Sequence, residues 1–352
     1  MIGILGGGQL GRMLALAAAR LGLKCHIYCP DAASPAFDVS AAYTCAAYED
    51  EAALAAFAEK VDVVTYEFEN VPDVTADFLS ARVPVHPDPK ILGTTQDRAT
   101  EKEFLEGAGL EVAAWAKVGS HADLERAAAE MGLPAILKTR RFGYDGKGQT
   151  GSAEGDDLQA ALDAIGNAPA VLEARVPLAC EVSVIVARSI DGDIRAFDIA
   201  ENVHVDHILK TSTVPASIPA ALQNQALEMG RNIAEAFGYV GVMGVELFVT
   251  GEGDAQRILV NEIAPRVHNS GHWTQDACSV CQFEQHIRAI AGWPLGDTSR
   301  HSDVVMTNLI GADADDWAGI ANQPNVSLHL YGKAETRAGR KMGHFNTLAP
   351  RN

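Results

Sequence analysis

The sequence predicts a chain of mixed class, α/β at its start and α+β beyond, in three parts: a doubly wound parallel-sheet domain, a small lid domain and a C-terminal mixed-sheet domain. Three observations predict it. Strand, glycine turn and helix alternate through the first 110 residues, the signature of a parallel sheet with crossover helices. An apolar run, Ala135-Ile-Leu-Lys138, then feeds a loop carrying Gly143, Gly146 and Gly148. After Glu181, paired strand patterns are separated by turn residues such as Ile190-Asp-Gly-Asp193 and Gly251-Glu-Gly-Asp254, which read as hairpins. The parts are placed at residues 1–110, 111–176 and 177–352, with a small terminal β region from about 301 to 352.

In order, Ile2 to Leu5 is a strand, Gly6-Gly-Gly-Gln-Leu-Gly11 a tight turn, Arg12 to Leu21 a helix and Lys24 to Tyr28 the next strand, with Asp31 just after it. On pattern this is a dinucleotide fingerprint, and an NAD-dependent dehydrogenase is the reading it offers; the same glycines also serve simply to pack helix on strand. A helix (50–60), a strand (61–66), a helix (73–82) and a short strand (83–86) repeat the unit, and one long helix from Lys90 to Gly107 carries Arg98. Glu67-Phe-Glu69 stands just past a strand's carboxyl end, where open α/β sheets bind ligands. Val112 to Gly119 is a strand, 123–131 a helix, 149–152, 170–174, 181–188 and 194–203 strands, with His204 following the last of these. Helices are expected over 156–165, 219–237 and 276–291, and strands over 241–249, 257–264, 304–310 and 326–330.

The net charge of -18 argues against a nucleic-acid partner, which needs a basic face, so a phosphate ligand must be met locally. No apolar stretch is long enough to span a membrane, and the N-terminus enters a strand without a signal-peptide pattern; a cytoplasmic location is the expectation. The six cysteines sit in apolar or helical surroundings and read as reduced small hydrophobes. Only Cys278-Ser-Val-Cys281 has metal-ligand spacing, and it lacks a second pair.

The chemistry concentrates in a few stretches. Between Lys138 and Gln149 the glycines let backbone N–H groups approach an anion, and Lys138 and Lys147 bracket the loop with positive charge. The spacing is not that of a P-loop; a solvated hairpin turn is the alternative. In the hairpin of 241–249 and 257–264, a turn centred near Asp254 sets Glu246 opposite Glu262. Facing carboxylates repel and call for a proton or a divalent cation, and hard oxygen ligands suit magnesium; a one-residue bulge would alter the register. Arg266, His268 and Asn269 follow in a polar loop able to hold a small oxyanion, and Lys333, Arg337, Arg340 and Lys341 form a basic cluster near the end.

Taken together, Gly8-Gln-Leu-Gly-Arg-Met13, Glu67-Phe-Glu69, Gly143-Tyr-Asp-Gly-Lys-Gly-Gln149, Asn261-Glu262, Pro265-Arg-Val-His-Asn-Ser-Gly-His-Trp-Thr-Gln275 and Gly339-Arg-Lys-Met-Gly-His344 resemble the 5-(carboxyamino)imidazole ribonucleotide synthase family of ATP-grasp ligases over nearly the whole chain. The resemblance implies the ATP-grasp fold, a homodimer, and ATP, Mg2+, bicarbonate and aminoimidazole ribonucleotide as ligands, reacting through carboxyphosphate in purine biosynthesis. It further implies that Arg98, Lys138 and the loop Gly143, Tyr144, Asp145, Gly146, Lys147, Gly148 and Gln149 meet ATP phosphates, and that Glu173, Ala174, Arg175 and Val176 line the adenine cleft. Glu181 would meet the ribose, with His204, Asn261 and Glu262 beside the nucleotide, while Glu246 and Glu262 would bind magnesium. Arg266, His268 and Asn269 would be catalytic, holding bicarbonate or carboxyphosphate; Gln9, Leu10, Glu67, Tyr144, Asp145, Lys147, Lys333 and Arg340 would hold the ribonucleotide. This reassigns the N-terminal glycines from NAD to substrate. An ATP-binding module without turnover is a further alternative. Phe142 and Leu178 depart from the family pattern in the loop and cleft, and, with the sequence ending soon after His344, a terminal helix seen in some relatives is expected to be absent.

Overall fold

In the computed structural model, residues 1–143 and 146–351 are described. The first sheet is built from β1 (Ile2–Leu5), β2 (Cys25–Tyr28), β3 (Ala42–Thr44) and β4 (Val63–Tyr66), in the order β3-β2-β1-β4 and parallel throughout. Helices α1 (Gln9–Arg20), α2 (Glu51–Ala58) and α3 (Asp73–Ser80) make its connections. All four residues of β1, β2 and β4 are buried, as expected of strands covered on both faces. The expected strand at 83–86 is reduced to a bridge between Val64 and Val85.

The long helix expected over 90–107 is two, α4 (Pro89–Thr95) and α5 (Arg98–Gly107). Asp97 makes the break: its carboxylate caps α5 by accepting from Ala99 N at 2.9 Å and holds Arg140 through two guanidinium nitrogens. A carboxylate already committed to both favours a cap over a helix interior.

The lid comprises β5 (Trp115–Val118), α6 (His121–Met131), β6 (Ala135–Thr139), β7 (Gln149–Ser152), α7 (Leu158–Ala164) and β8 (Ala170–Ala174), with strand order β5-β8-β6-β7. It has its own core of Val118, Leu124, Leu137, Leu162 and Leu172. The strand expected from Val112 starts only at Trp115; Val112 instead bridges Val260 in the neighbouring sheet.

The remaining strands form one nine-stranded sheet: β9 (Leu178–Arg188), β10 (Ile194–Ala196), β11 (Ala200–Val205), β12 (Ile208–Val214), β13 (Gly241–Thr250), β14 (Arg257–Ala264), β15 (Ser302–Ile310), β16 (Val326–Leu330) and β17 (Lys341–Pro350). Its order is β14-β13-β9-β11-β12-β15-β17-β16, with β10 on β9. Expected as mixed, it is antiparallel at every strand pairing among the described residues. The strand expected over 194–203 is divided between β10 and β11, and β3, β12 and β17 lie where no strand was expected. Helix α8 (Ala220–Ala236) packs on β9 so closely that a methyl group on Gly230 would stand 2.7 Å from Val186. The helix expected over 276–291 is split into α9 (Thr274–Ala277) and α10 (Gln282–Ile290), because Cys278 turns extended and pairs with Arg300. A short helix α11 (Trp317–Ala321) precedes β16.

The N-terminal and C-terminal sheets share a core, in which Ile4 and Leu14 join Ile185, Trp273, Phe283 and Met306. Within it the ring of His286 on α10 ties the two sheets together: its Nδ1 accepts from Val242 N at 3.0 Å and its Nε2 lies 2.8 Å from the Thr65 hydroxyl. All six cysteines are free thiols.

Candidate active site

The site is assembled where the carboxyl end of the first sheet, the lid and the antiparallel sheet meet. On the lid side, β6 delivers Lys138, whose ammonium donates to Glu173 Oε2 at 2.8 Å. Glu173 was expected in an adenine cleft; its side chain is buried and serves the lysines, because Lys102 of α5 approaches the other oxygen at 3.4 Å. Burial would raise the Glu173 pKa, but Lys138 and then Lys102 hold it below the ordinary value. Arg98, one helical turn before Lys102, pairs with Glu262 at 3.1 Å. Lys102 carried no motif that would single it out; only its spacing of four from Arg98 places it on the same helix face.

The glycine loop leaves β6 and returns as β7, and its glycines are required. Gly148 has φ +69, and a Cβ there would lie 2.6 Å from Thr139 Oγ1. Gly146, at φ +78, rests on His207, where a Cβ would come within 2.8 Å of the ring; His207 belongs to the β11–β12 turn. Gly143 lies close enough to Arg98 that a Cβ on it would stand 3.6 Å from the guanidinium. Phe142, the departure from the family pattern, has φ 64 and an exposed ring, a left-handed conformation that glycine adopts at less cost. Tyr144 and Asp145 lie outside the described residues. Gln149 opens β7, and Lys147 lies in the loop. Ala174, Arg175 and Val176 line a cleft with Ala113, Thr250 and Leu259, and Leu178 is exposed at the start of β9.

The carboxylate pair is present, by a different route from the one the spacing suggested. Strands β13 and β14 pair Thr250 with Arg257 and continue in step to Leu247 with Val260. Continued regularly, Glu246 would face Asn261. The register shifts there, Asn261 is left as the extra residue and Glu246 faces Glu262. The bulge that would have spoiled the simple arithmetic is what creates the pair. Each carboxylate has a partner: Glu262 pairs with Arg98, and His268 Nε2 lies 3.1 Å from Glu246 Oε1. Burial opposes ionisation of Glu246, but its hydrogen bond with His268 and the charges of His268, His204 and Lys341 bring its pKa below the ordinary value. His204 lies within β11 at a bulge and stands 2.8 Å from Glu181. Burial lowers the His204 pKa, and Glu181 then Glu246 reverse that to a net rise.

The polar loop after β14 is fixed by contacts from three directions. Arg266 forms a two-point ion pair with Glu69 across the site, which holds that carboxyl down to about 2 against its burial. His268 Nδ1 is 2.9 Å from the Ser270 hydroxyl. Ser270 joins Ser183, Asn202 and Ser212 in a buried chain of hydrogen bonds of 2.7–2.9 Å. Asn269 exchanges two amide hydrogen bonds with Asn308 on β15, at 3.0 and 2.8 Å. Gln282 of α10 grips the backbone of His268, accepting from its N–H at 2.9 Å and donating to its carbonyl at 2.7 Å. Neither Gln282 nor Asn308 was legible, since their partners lie 14 and 39 residues away in sequence.

At the opposite end stands the N-terminal glycine turn with Gln9 and Leu10 at the start of α1. Its amides are taken: Glu67 accepts from both Gly8 N and Gly11 N. The place where a dinucleotide pyrophosphate would rest on a helix N-terminus therefore already holds a carboxylate. Burial raises the Glu67 pKa despite these two bonds and the nearby Arg266 and Lys333. Lys333 reaches this end of the site and donates to the Lys341 carbonyl at 2.7 Å. Burial first, then the charges of Arg340 and Lys341, push its pKa down to about 8, with Glu67 opposing. Arg340 is half-buried, whereas Arg337 turns outward to Glu335. Among the described residues no group of three or more metal-ligating side chains is gathered.

A lid with a glycine loop over a lysine, hinged on a sheet that presents two carboxylates, defines an ATP-grasp fold, and comparison with known proteins agrees. The ATP-grasp domain family matches residues 103–283, a ribonucleotide synthetase preATP-grasp domain matches 1–96 and the phosphoribosylaminoimidazole carboxylase C-terminal domain matches 304–352. The chain is 53% identical to the N5-carboxyaminoimidazole ribonucleotide synthase of Brucella melitensis, covering 99% of this chain and 96% of that one. The Staphylococcus aureus N5-carboxyaminoimidazole synthetase complexed with ADP superposes with TM-score 0.93 at 37% identity, covering 99% of this chain and 92% of that one. The Aspergillus clavatus synthase in complex with ADP and 5-aminoimidazole ribonucleotide superposes with TM-score 0.91 at 31% identity, covering 99% and 93%. The chain belongs to the N5-carboxyaminoimidazole ribonucleotide synthase family. No helix among the described residues is long and apolar enough to cross a membrane.

Proposed function

We propose that the chain is an ATP-dependent ligase that carboxylates 5-aminoimidazole ribonucleotide with bicarbonate, through carboxyphosphate, giving 5-(carboxyamino)imidazole ribonucleotide, ADP and phosphate in purine biosynthesis in the cytoplasm. The observation that carries the reading is the bulge-built pairing of Glu246 with Glu262, between the Arg98 and Lys138 end of the cleft and the loop bearing Arg266 and His268. Two carboxylate oxygen donors on a rigid strand pair fit Mg2+, which when bound would neutralise charge on the transferring phosphoryl group.

The chain's own residues do the positioning. Arg98, Lys138 and the loop from Gly143 to Gln149, with Tyr144, Asp145 and Lys147, draw and cover the ATP phosphates. Ala174, Arg175 and Val176 edge the adenine cleft, with Glu173 buried behind them on the lysines, Glu181 takes the ribose, and His204 and Asn261 adjoin the nucleotide. Arg266, His268 and Asn269 hold bicarbonate and then carboxyphosphate, their orientation fixed by Glu69, Ser270 and Asn308. Preorganised donors of this kind stabilise developing charge without reorganising. Gln9, Leu10 and Glu67 receive the ribonucleotide, and Lys333 with Arg340 take its phosphate. Closure of the lid excludes water from an intermediate that would otherwise hydrolyse. The three functional parts are residues 1–110, 111–176 and 177–352.

A homodimer is supported by one face of the large sheet. Helix α8 covers the β9 and β13 half of that face, while Val203, Thr213, Val305, Thr347 and Leu330 stay exposed on the other half. A second copy of the chain is the occupant that would bury it.

The test is phosphate release with ATP, Mg2+ and bicarbonate, with and without aminoimidazole ribonucleotide, on wild type and Arg340→Ala. The ribonucleotide should stimulate release, and the variant should need more of it, by about 1.5–3 kcal/mol of lost charge-assisted binding. No stimulation in wild type refutes the reaction. Equal half-saturation in both proteins refutes only the role of Arg340.

A further inference from the structure

The mechanism gives no role to the buried side chain of Lys102. Its residue is 2% exposed, it sits on α5 one turn beyond Arg98, and its ion-pair partner is Glu173 at 3.4 Å. Glu173 is 3% exposed and is itself shared. Its Oε2 accepts from Lys138 at 2.8 Å, whereas its Oε1 has no hydrogen-bond partner among the described residues. A buried carboxylate with one oxygen bonded to Lys138 and the other unbonded, lying between two lysines, is an arrangement with a spare cation.

The spare cation matters when nucleotide arrives. Lys138 cannot give its full charge to a triphosphate while holding Glu173, and a buried carboxylate stripped of its partner is strongly unfavourable. We propose that Lys102 is a positioning residue of the nucleotide site: it keeps Glu173 compensated while Lys138 turns to the ATP phosphates, closing from 3.4 Å to hydrogen-bond distance on the unbonded oxygen. The helix that supplies Arg98 thereby also supplies the charge that releases Lys138. The inference rests on the reading that Lys138 meets ATP.

The experiment measures binding of a non-hydrolysable ATP analogue with Mg2+ to the full-length enzyme by calorimetry, beside melting temperature and steady-state kinetics. Lys102→Met should weaken analogue binding about 10- to 100-fold, the scale of a charge-assisted contact, and raise KM for ATP while KM for the ribonucleotide stays within about twofold. Lys102→Arg should recover most of that loss. With Glu173→Gln the carboxylate is gone, so adding Lys102→Met should cost less than about twofold more. That double variant buries a neutral pair and keeps the test open if Lys102→Met alone does not fold. Wild-type affinity in Lys102→Met, or a loss of the same size in the Glu173→Gln background, overturns the proposal. If Lys138→Met binds the analogue as wild type does, it is the assignment of Lys138 that fails.

Discussion

Lys333 offers a pH test of the ribonucleotide site. Burial and the neighbouring charges of Arg340 and Lys341 push its pKa to about 8 in the free protein, against about 10.4 for an unperturbed lysine. Only the cationic form attracts a phosphate, so the competent fraction is complete well below pH 8 and falls as pH rises through it. With that value, kcat/KM for the ribonucleotide should drop about twofold at pH 8 and about tenfold at pH 9, since this ratio reports ionisations of the free enzyme. The assay is initial-rate phosphate release from pH 7 to 9.5 at saturating ATP and Mg2+ and fixed bicarbonate, with kcat/KM for ATP as the internal control. Lys333→Arg replaces the lysine with a group that stays charged throughout and should flatten the profile, even if its geometry lowers the plateau. A wild-type profile that stays level to pH 9, or a Lys333→Arg profile with the same fall, refutes the reasoning.

Two further tests address the metal pair and the joint between the sheets. Glu262→Gln should abolish turnover with the melting temperature nearly unchanged, because it removes one charge from a strand that still pairs; near-normal activity at limiting Mg2+ would exclude Glu262 from the metal site. His286 is wholly buried, which takes its pKa to about 3, whereas the unfolded ring titrates near the ordinary 6.5. Its contribution to stability is therefore complete above about pH 6.5 and is lost as pH falls towards 3, reaching about 2 kcal/mol by pH 5. Thermal unfolding between pH 7 and 5 should show this fall in wild type and a shallower one in His286→Gln; parallel curves would assign the acid sensitivity elsewhere.

The sequence by itself determined the parts whose signals are local. Alternating strand and helix patterns set the parallel sheet, the apolar run into Lys138 and its glycines set the lid hairpin, and residue spacing brought Glu246 and Glu262 to facing strands. The motifs in their order were enough to place the chain in its family, because a family's site residues are spaced by the elements that carry them. Other features needed the folded chain. Asp97 looks helical until Arg140, 43 residues away, takes its carboxylate. Whether Glu246 faces Asn261 or Glu262 turns on a single bulged residue, which period-two reasoning cannot locate. The N-terminal glycines read as a dinucleotide site in sequence, and only the approach of Glu67, just past the end of β4, shows that the amides of Gly8 and Gly11 are filled. The partners of Arg98, Lys102, Arg266 and Asn269 are likewise distant along the chain. Hydrophobic periodicity and turn chemistry act over a few residues, whereas a charge is paired by whatever the fold brings within about 4 Å in a poorly solvated cleft, where an unpaired one is too costly to leave.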